Sequence, residues 1–138
     1  MSFHGISTIR IHATDHLAAV AWYTEAFGTE PYFERPGYTE FRIGDYETEV
    51  GVMDSSFLST LGTLDTPTPS SGTVIYWAVD DLAAEVCRLK ELGATIAEEA
   101  REFGPGFVAA AMTDPFGNVL GVMENRHYLE VLNHREER

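Results

Sequence analysis

Cysteine is almost absent: the 138 residues hold one, Cys87. A single thiol excludes an intramolecular disulfide and suits a reducing compartment, so a cytoplasmic location is expected. Long apolar runs are missing, and nothing approaches the roughly 18 to 20 residues that a bilayer-spanning helix needs. The start, Met1-Ser2-Phe3-His4-Gly5, lacks the basic residues and apolar stretch of a secretory signal. Basic residues are scarce: 9 Lys+Arg stand against 22 Asp+Glu, a formal net charge of -13. Such a surface repels phosphates, which argues against nucleic-acid and membrane partners and favours cationic ligands by long-range attraction. Solubility alone is the simpler account of the same charge. No Ser-His-Asp or Cys-His pattern stands out, and Cys87, mid-helix between Val86 and Arg88, reads as an inert thiol.

What is present is a phrase used twice. Val50-Gly51-Val52-Met53-Asp54 and Leu120-Gly121-Val122-Met123-Glu124 alternate like strands, each with a glycine in the same place. A glycine inside a strand often marks a close approach to its backbone. Upstream of the first copy, residues 6–13 alternate strictly: Ile9 and Ile11 point one way, Thr8, Arg10 and His12 the other. Thr14-Asp15 offers a helix N-cap, Leu17 to Phe27 places Leu17, Val20, Ala21, Trp22, Tyr23 and Phe27 at the largely helical spacing of a core-facing stripe, and Gly28 stops it. His16 falls in the first helical turn, near solvent. Strand-like runs follow at about 30–34, 38–43 and 48–53, separated by Pro36-Gly37 and Gly44-Asp45.

The pattern then restarts. Val74 to Val79 reads as a strand, Asp80-Asp81 caps a helix that Gly93 ends, and strands are expected at 94–97, 107–112 and 118–123. The fold class is therefore α+β: two βαβββ modules, 1–54 and 73–127, forming a curved mixed sheet around a shared cavity. A Ser/Thr/Gly/Pro-rich linker, 55–72, joins them, and 128–138 is a short amphipathic or frayed tail.

Three stretches carry a family resemblance: D-H-L-A-A-V-A-W-Y-T-E-A-F-G (15–28), A-V-D-D-L-A-A-E-V-C-R-L-K-E-L-G-A-T (78–95) and D-P-F-G-N-V-L-G-V-M-E (114–124). In order, spacing and duplication the chain, over about residues 5–126, resembles the vicinal oxygen chelate family, which includes glyoxalase I, extradiol dioxygenases and bleomycin-resistance proteins. The resemblance implies paired βαβββ modules, a homodimer, and one divalent metal held by up to four His, Glu or Gln side chains. Those four positions fall here on Thr8, Gly51, Val74 and Gly121. Glycine and valine offer no donor atom and a neutral threonine is a poor ligand. No metal and no other cofactor is therefore expected, and glyoxalase I and dioxygenase activities are argued against.

The residues left to line a pocket are Thr8, Arg10, His12, Arg42, Glu49, Gly51 and Met53 from the first module, and Val74, Tyr76, Phe107, Gly121 and Met123 from the second. The glycines either make room for a bulky or flat ligand or ease strand curvature. Arg10 suits a carboxylate or phosphate, or else pairs with Glu40 or Glu49. His12 is a candidate acid or base, though a strand-face histidine is more often structural. The leading reading is metal-independent binding of a small organic molecule, cationic or bulky. The alternatives are a metal-free lyase or isomerase using His12, Arg10 or Tyr76, and a non-catalytic interaction subunit.

Overall fold

The alternation at the start of the chain becomes strand β1, Thr8–Ala13, in a computed structural model that describes residues 4–57 and 73–136. Asp15 then caps helix α1, His16–Phe27, by accepting from the Ala18 N–H, and Gly28 closes it in the left-handed conformation at φ 67°. Strands β2 (Phe33–Arg35), β3 (Tyr38–Ile43) and β4 (Thr48–Asp54) complete a sheet ordered β1-β4-β3-β2, with β1 parallel to β4 and the other pairs antiparallel. The 3-10 turn Ser55–Phe57 follows, and the rest of the expected linker, 58–72, lies outside the described residues.

The second half repeats the plan. It comprises β5 (Tyr76–Ala78), α2 (Leu82–Glu91), β6 (Thr95–Gly104), β7 (Phe107–Thr113) and β8 (Val119–Asn125), in a sheet ordered β5-β8-β7-β6. The chain divides into two compact units, 1–68 and 69–138. Each is one βαβββ module, as the duplicated phrase implies.

Within each unit the helix covers one face of its sheet. In the first, Ala19, Tyr23 and Ala26 of α1 are buried along with Phe41, Val50 and Val52. Tyr23, Phe27 and Phe41 form a chain of ring contacts, with centroids 5.1 and 5.7 Å apart. In the second, Leu82 and Leu89 of α2 are buried with Ala110, Met112, Leu120 and Val122. Trp77 pairs with Val122 and shares that face, as expected.

Several boundaries differ from expectation. β6 runs ten residues rather than four. It is an edge strand whose outer half, Glu98 to Glu102, is charged and exposed, so it carries no apolar alternation, and its pairing shifts register three times. Of the expected Asp80-Asp81 cap, Asp81 is the N-cap of α2. The tail is a helix, α3 (Arg126–Glu136), that begins within the expected second module and has no buried residue. Leu17, expected to face the core, is 81% exposed, because the buried stripe of α1 runs through Ala19, Tyr23 and Ala26. His16 continues that stripe one turn back and sets its Nε2 3.2 Å from the hydroxyl of Thr39, which is 3% exposed. Among the described residues no helix is long and apolar enough to cross a membrane.

Candidate functional site

Strand register fixes what the open face of the first sheet displays. Pairing aligns three rows across it. The first is His12, Met53, Tyr38 and Arg35; the second Arg10, Gly51, Glu40 and Phe33; the third Thr8, Glu49 and Arg42. Every first-module residue expected to line a pocket lies on this face. Three of the chain's 9 basic residues, Arg10, Arg35 and Arg42, share it with two carboxylates, Glu40 and Glu49. The face is therefore locally basic on an acidic protein.

Both carboxylates are engaged. Glu49 accepts the Thr8 hydroxyl at 3.0 Å and lies 3.7 Å from the Arg42 guanidinium. Arg42 also stacks on the Tyr32 ring, 3.6 Å from its centroid. Glu40 accepts the Tyr38 hydroxyl at 2.9 Å. The expected pairing of Arg10 with Glu40 or Glu49 is thus replaced by Tyr38 and Arg42, and Arg10 is exposed, with no hydrogen bond or ion pair among the described residues. Burial pushes the Tyr38 phenol up to about 12, helped by the hydrogen bond and negative charge of Glu40 and the charge of Glu49 and opposed by Arg10. His12 is half-buried, with Nδ1 3.4 Å from the Ser55 hydroxyl, which gives it a structural partner.

Gly51 lies between Arg10 and Glu40, and its space is not vacant. A Cβ there would overlap the ring and hydroxyl of Tyr38. Gly121 is covered in the same manner: a Cβ would sit 2.6 Å from Tyr76 Cδ1 and 2.7 Å from the Ile75 carbonyl oxygen. The close approach that the glycines signalled comes from the protein's own tyrosines. Tyr38 was not among the expected site residues, yet period-two counting back from Arg42 through Glu40 reaches it.

Val74, Tyr76, Gly121, Met123 and Phe107 belong to the second unit. Tyr76 pairs with Gly121, and Ala78 with Met123. Phe107, Ala109 and Ala111 continue that face on β7, opposite Asn125, Met123 and Gly121. Tyr76 is 41% exposed and its hydroxyl donates to Glu98 at 3.3 Å. Burial raises its pKa, with the charge of Glu98 and the hydrogen bond to it adding to the effect. Val74 precedes β5 and is half-buried. Arg126 lies over the Phe107 ring, 5.3 Å from its centroid.

Two βαβββ modules with a mixed sheet each define the class to which the comparisons assign the chain. Residues 8–123 match the family model described as a glyoxalase-like domain, and the chain belongs to that family, within the vicinal oxygen chelate superfamily. A glyoxalase/bleomycin resistance protein/dioxygenase family enzyme from Burkholderia phytofirmans has a similar fold, with TM-score 0.71, 18% identity, and 87% of this chain and 98% of that chain covered. A superfamily member from Sphaerobacter thermophilus gives TM-score 0.70 and 21% identity, covering 91% and 100%. Lactoylglutathione lyase from Agrobacterium tumefaciens gives 0.65 and 22%, covering 89% and 95%. Comparison with curated proteins finds no match.

The divalent metal that the family's enzymes use does not fit the side chains here. Thr8, Gly51, Val74 and Gly121 supply neither carboxylate nor imidazole, and both glycine positions lie under tyrosine rings. Among the described residues no three His, Cys, Asp or Glu side chains gather at a spacing suited to a metal.

Proposed function

We propose that this glyoxalase-family chain binds, without a metal, a small organic molecule bearing an anionic group, and that the polar face of the first sheet receives it. One observation carries the reading: Arg10 is exposed on a face whose two carboxylates are committed to other partners. A guanidinium with its donors open is suited to a carboxylate or phosphate. Phe33, exposed at the far end of the same row, and Tyr32, exposed and stacked on Arg42, offer apolar contact to a ligand that reaches across the face.

The test is a thermal-shift panel of carboxylates, phosphates and organic cations on wild type and Arg10→Gln. Anions should raise the melting temperature saturably in wild type, and Arg10→Gln should weaken the effect by about 10- to 100-fold in concentration, as expected for a charge-assisted hydrogen bond. Stabilisation by cations alone, or equal stabilisation of both proteins by anions, would defeat the reading.

A second reading, a metal-free lyase or isomerase, rests on His12, which stands two residues from Arg10 on the same face. His12→Ala should leave ligand binding nearly intact and reduce any turnover by about 100-fold or more if His12 is the general base. A non-catalytic interaction subunit would give no saturable shift with any small molecule.

A further inference from the structure

The side chain over Gly51 describes a ligand. Tyr38 lays a flat ring against the glycine backbone, between Arg10 on one neighbouring strand and Glu40 on the other, and donates its hydroxyl to Glu40. Arg10 and Glu40 are separated by two strand spacings, roughly 10 Å between Cα atoms, with no side chain on the strand between them. The walls of this slot are one cation without a partner and one carboxylate that accepts a phenolic proton.

The atoms of Tyr38 nearest Gly51 are Oη, Cε1 and Cζ, the far end of a side chain hinged at its Cβ, so the ring can leave by a rotamer change without moving backbone. The equivalent slot in the second module cannot open in the same way, because the Ile75 carbonyl also stands against Gly121.

We infer that Tyr38 is a displaceable plug, and that the slot over Gly51 takes a flat hydroxylated ring from the ligand, its hydroxyl replacing that of Tyr38 on Glu40. Joined to the anionic group that the proposed function assigns to Arg10, on which this part of the inference rests, the ligand class is a hydroxyaryl acid.

The experiment uses p-cresol, benzoate and 4-hydroxybenzoate as probes, with binding measured by calorimetry on the full chain. Tyr38→Ala should bind p-cresol measurably and 4-hydroxybenzoate at least about tenfold tighter than wild type does, because the probe no longer competes with the plug. Benzoate, lacking the hydroxyl, should bind that variant at least about tenfold more weakly than 4-hydroxybenzoate, since Glu40 is left unpaired. If Tyr38→Ala binds p-cresol no better than wild type, the slot does not exist, whatever Arg10 does. If p-cresol binds and the carboxylate of 4-hydroxybenzoate adds nothing, the slot stands and the Arg10 reading falls. Tyr38→Phe guards against a folding defect. It keeps the ring over Gly51 but releases Glu40, so 4-hydroxybenzoate should bind about threefold or more tighter than to wild type. An unchanged affinity in Tyr38→Phe overturns the plug.

Discussion

The two modules put a glycine at the same point of the same motif and then surround it differently. In the first sheet Gly51 is flanked by Arg10 and Glu40, with His12, Met53 and Tyr38 in the next row. In the second, Gly121 is flanked by Tyr76 and Ala111, and the next row is Ala78, Met123 and Ala109. One face sets charged groups directly beside its glycine; the other has alanines, Met123 and Tyr76 around its glycine, with Glu98 and Arg101 on the edge strand β6 and Asn125 at the end of β8. The backbone plan is held in common while the side chains have parted, so function is to be sought where the groups are polar and incompletely paired. The covering tyrosine also has a different origin in each module: Tyr38 comes from the inner strand β3, Tyr76 from the edge strand β5.

That difference predicts unequal tolerance of a methyl group. Gly121→Ala presses on the Ile75 carbonyl, which stands just ahead of β5 and is held by the Gly121 N–H at 3.0 Å, and should cost about 2 to 3 kcal/mol. Gly51→Ala meets only the tip of Tyr38 and should cost about 1 kcal/mol. Tyr38→Ala should relieve much of the Gly51→Ala cost in a double-mutant cycle, whereas Tyr76→Ala should leave most of the Gly121→Ala cost in place. Urea titration of the four single and two double variants reads this directly. Equal costs, or equal rescue, would mean that the two glycines are covered alike.

A smaller contrast lies at the ends of the repeated phrase. Glu124 accepts the Leu82 N–H at 2.9 Å, satisfying the first turn of α2, whereas Asp54 accepts the Ser56 N–H and hydroxyl, each at 2.9 Å. Glu124→Ala should therefore cost about 1 kcal/mol, as does loss of a helix cap. Asp54→Asn should cost less, and in a pH-dependent way. Those Ser56 hydrogen bonds hold the Asp54 carboxyl below its usual 3.8, despite partial burial. A lowered pKa gives stability that is present above 3.8 and is lost as pH falls through the folded value. The gap between wild type and Asp54→Asn should close in acid; a gap independent of pH would remove the Asp54 contribution.

The repeated phrase, the caps and the stops were enough to read two βαβββ modules, because glycine stops, aspartate caps and period-two runs are local signals. Residues on the first sheet face were legible for the same reason: once Thr8 is placed, Arg10 and His12 follow by alternation. What escaped depends on tertiary neighbours. Arg10 and Arg42 look equally able to pair with Glu49, and only the β3–β4 register, Arg42 against Glu49, decides between them. The extension of β6 is driven by pairing with β7 and not by its own apolar content. Leu17 and His16 exchanged expected roles because hydrophobicity alone ranks leucine as core, whereas the stripe of α1 and the buried Thr39 hydroxyl select the histidine.

The finest test of the comparison is the titration of the two covering tyrosines. Both phenols are raised, Tyr38 to about 12 and Tyr76 by a smaller margin consistent with its greater exposure. A phenol whose folded pKa lies above its unfolded value of 10.0 contributes stability that is complete below pH 10.0 and is lost as pH rises through the folded value. The melting-temperature difference between wild type and Tyr38→Phe should therefore be flat up to about pH 10 and shrink steadily toward pH 12. The corresponding difference for Tyr76→Phe should change less over the same range. Ultraviolet difference spectra of the two variants against wild type assign each tyrosinate. If Tyr76 proves the more strongly raised of the two, the Glu40 partnership is not what distinguishes the first module, and the plug over Gly51 loses its anchor. If Tyr38 titrates near 12 and its loss of stability tracks that value, the phenol stays buried over Gly51 in solution, with the Glu40 hydrogen bond contributing, as the inferred plug requires.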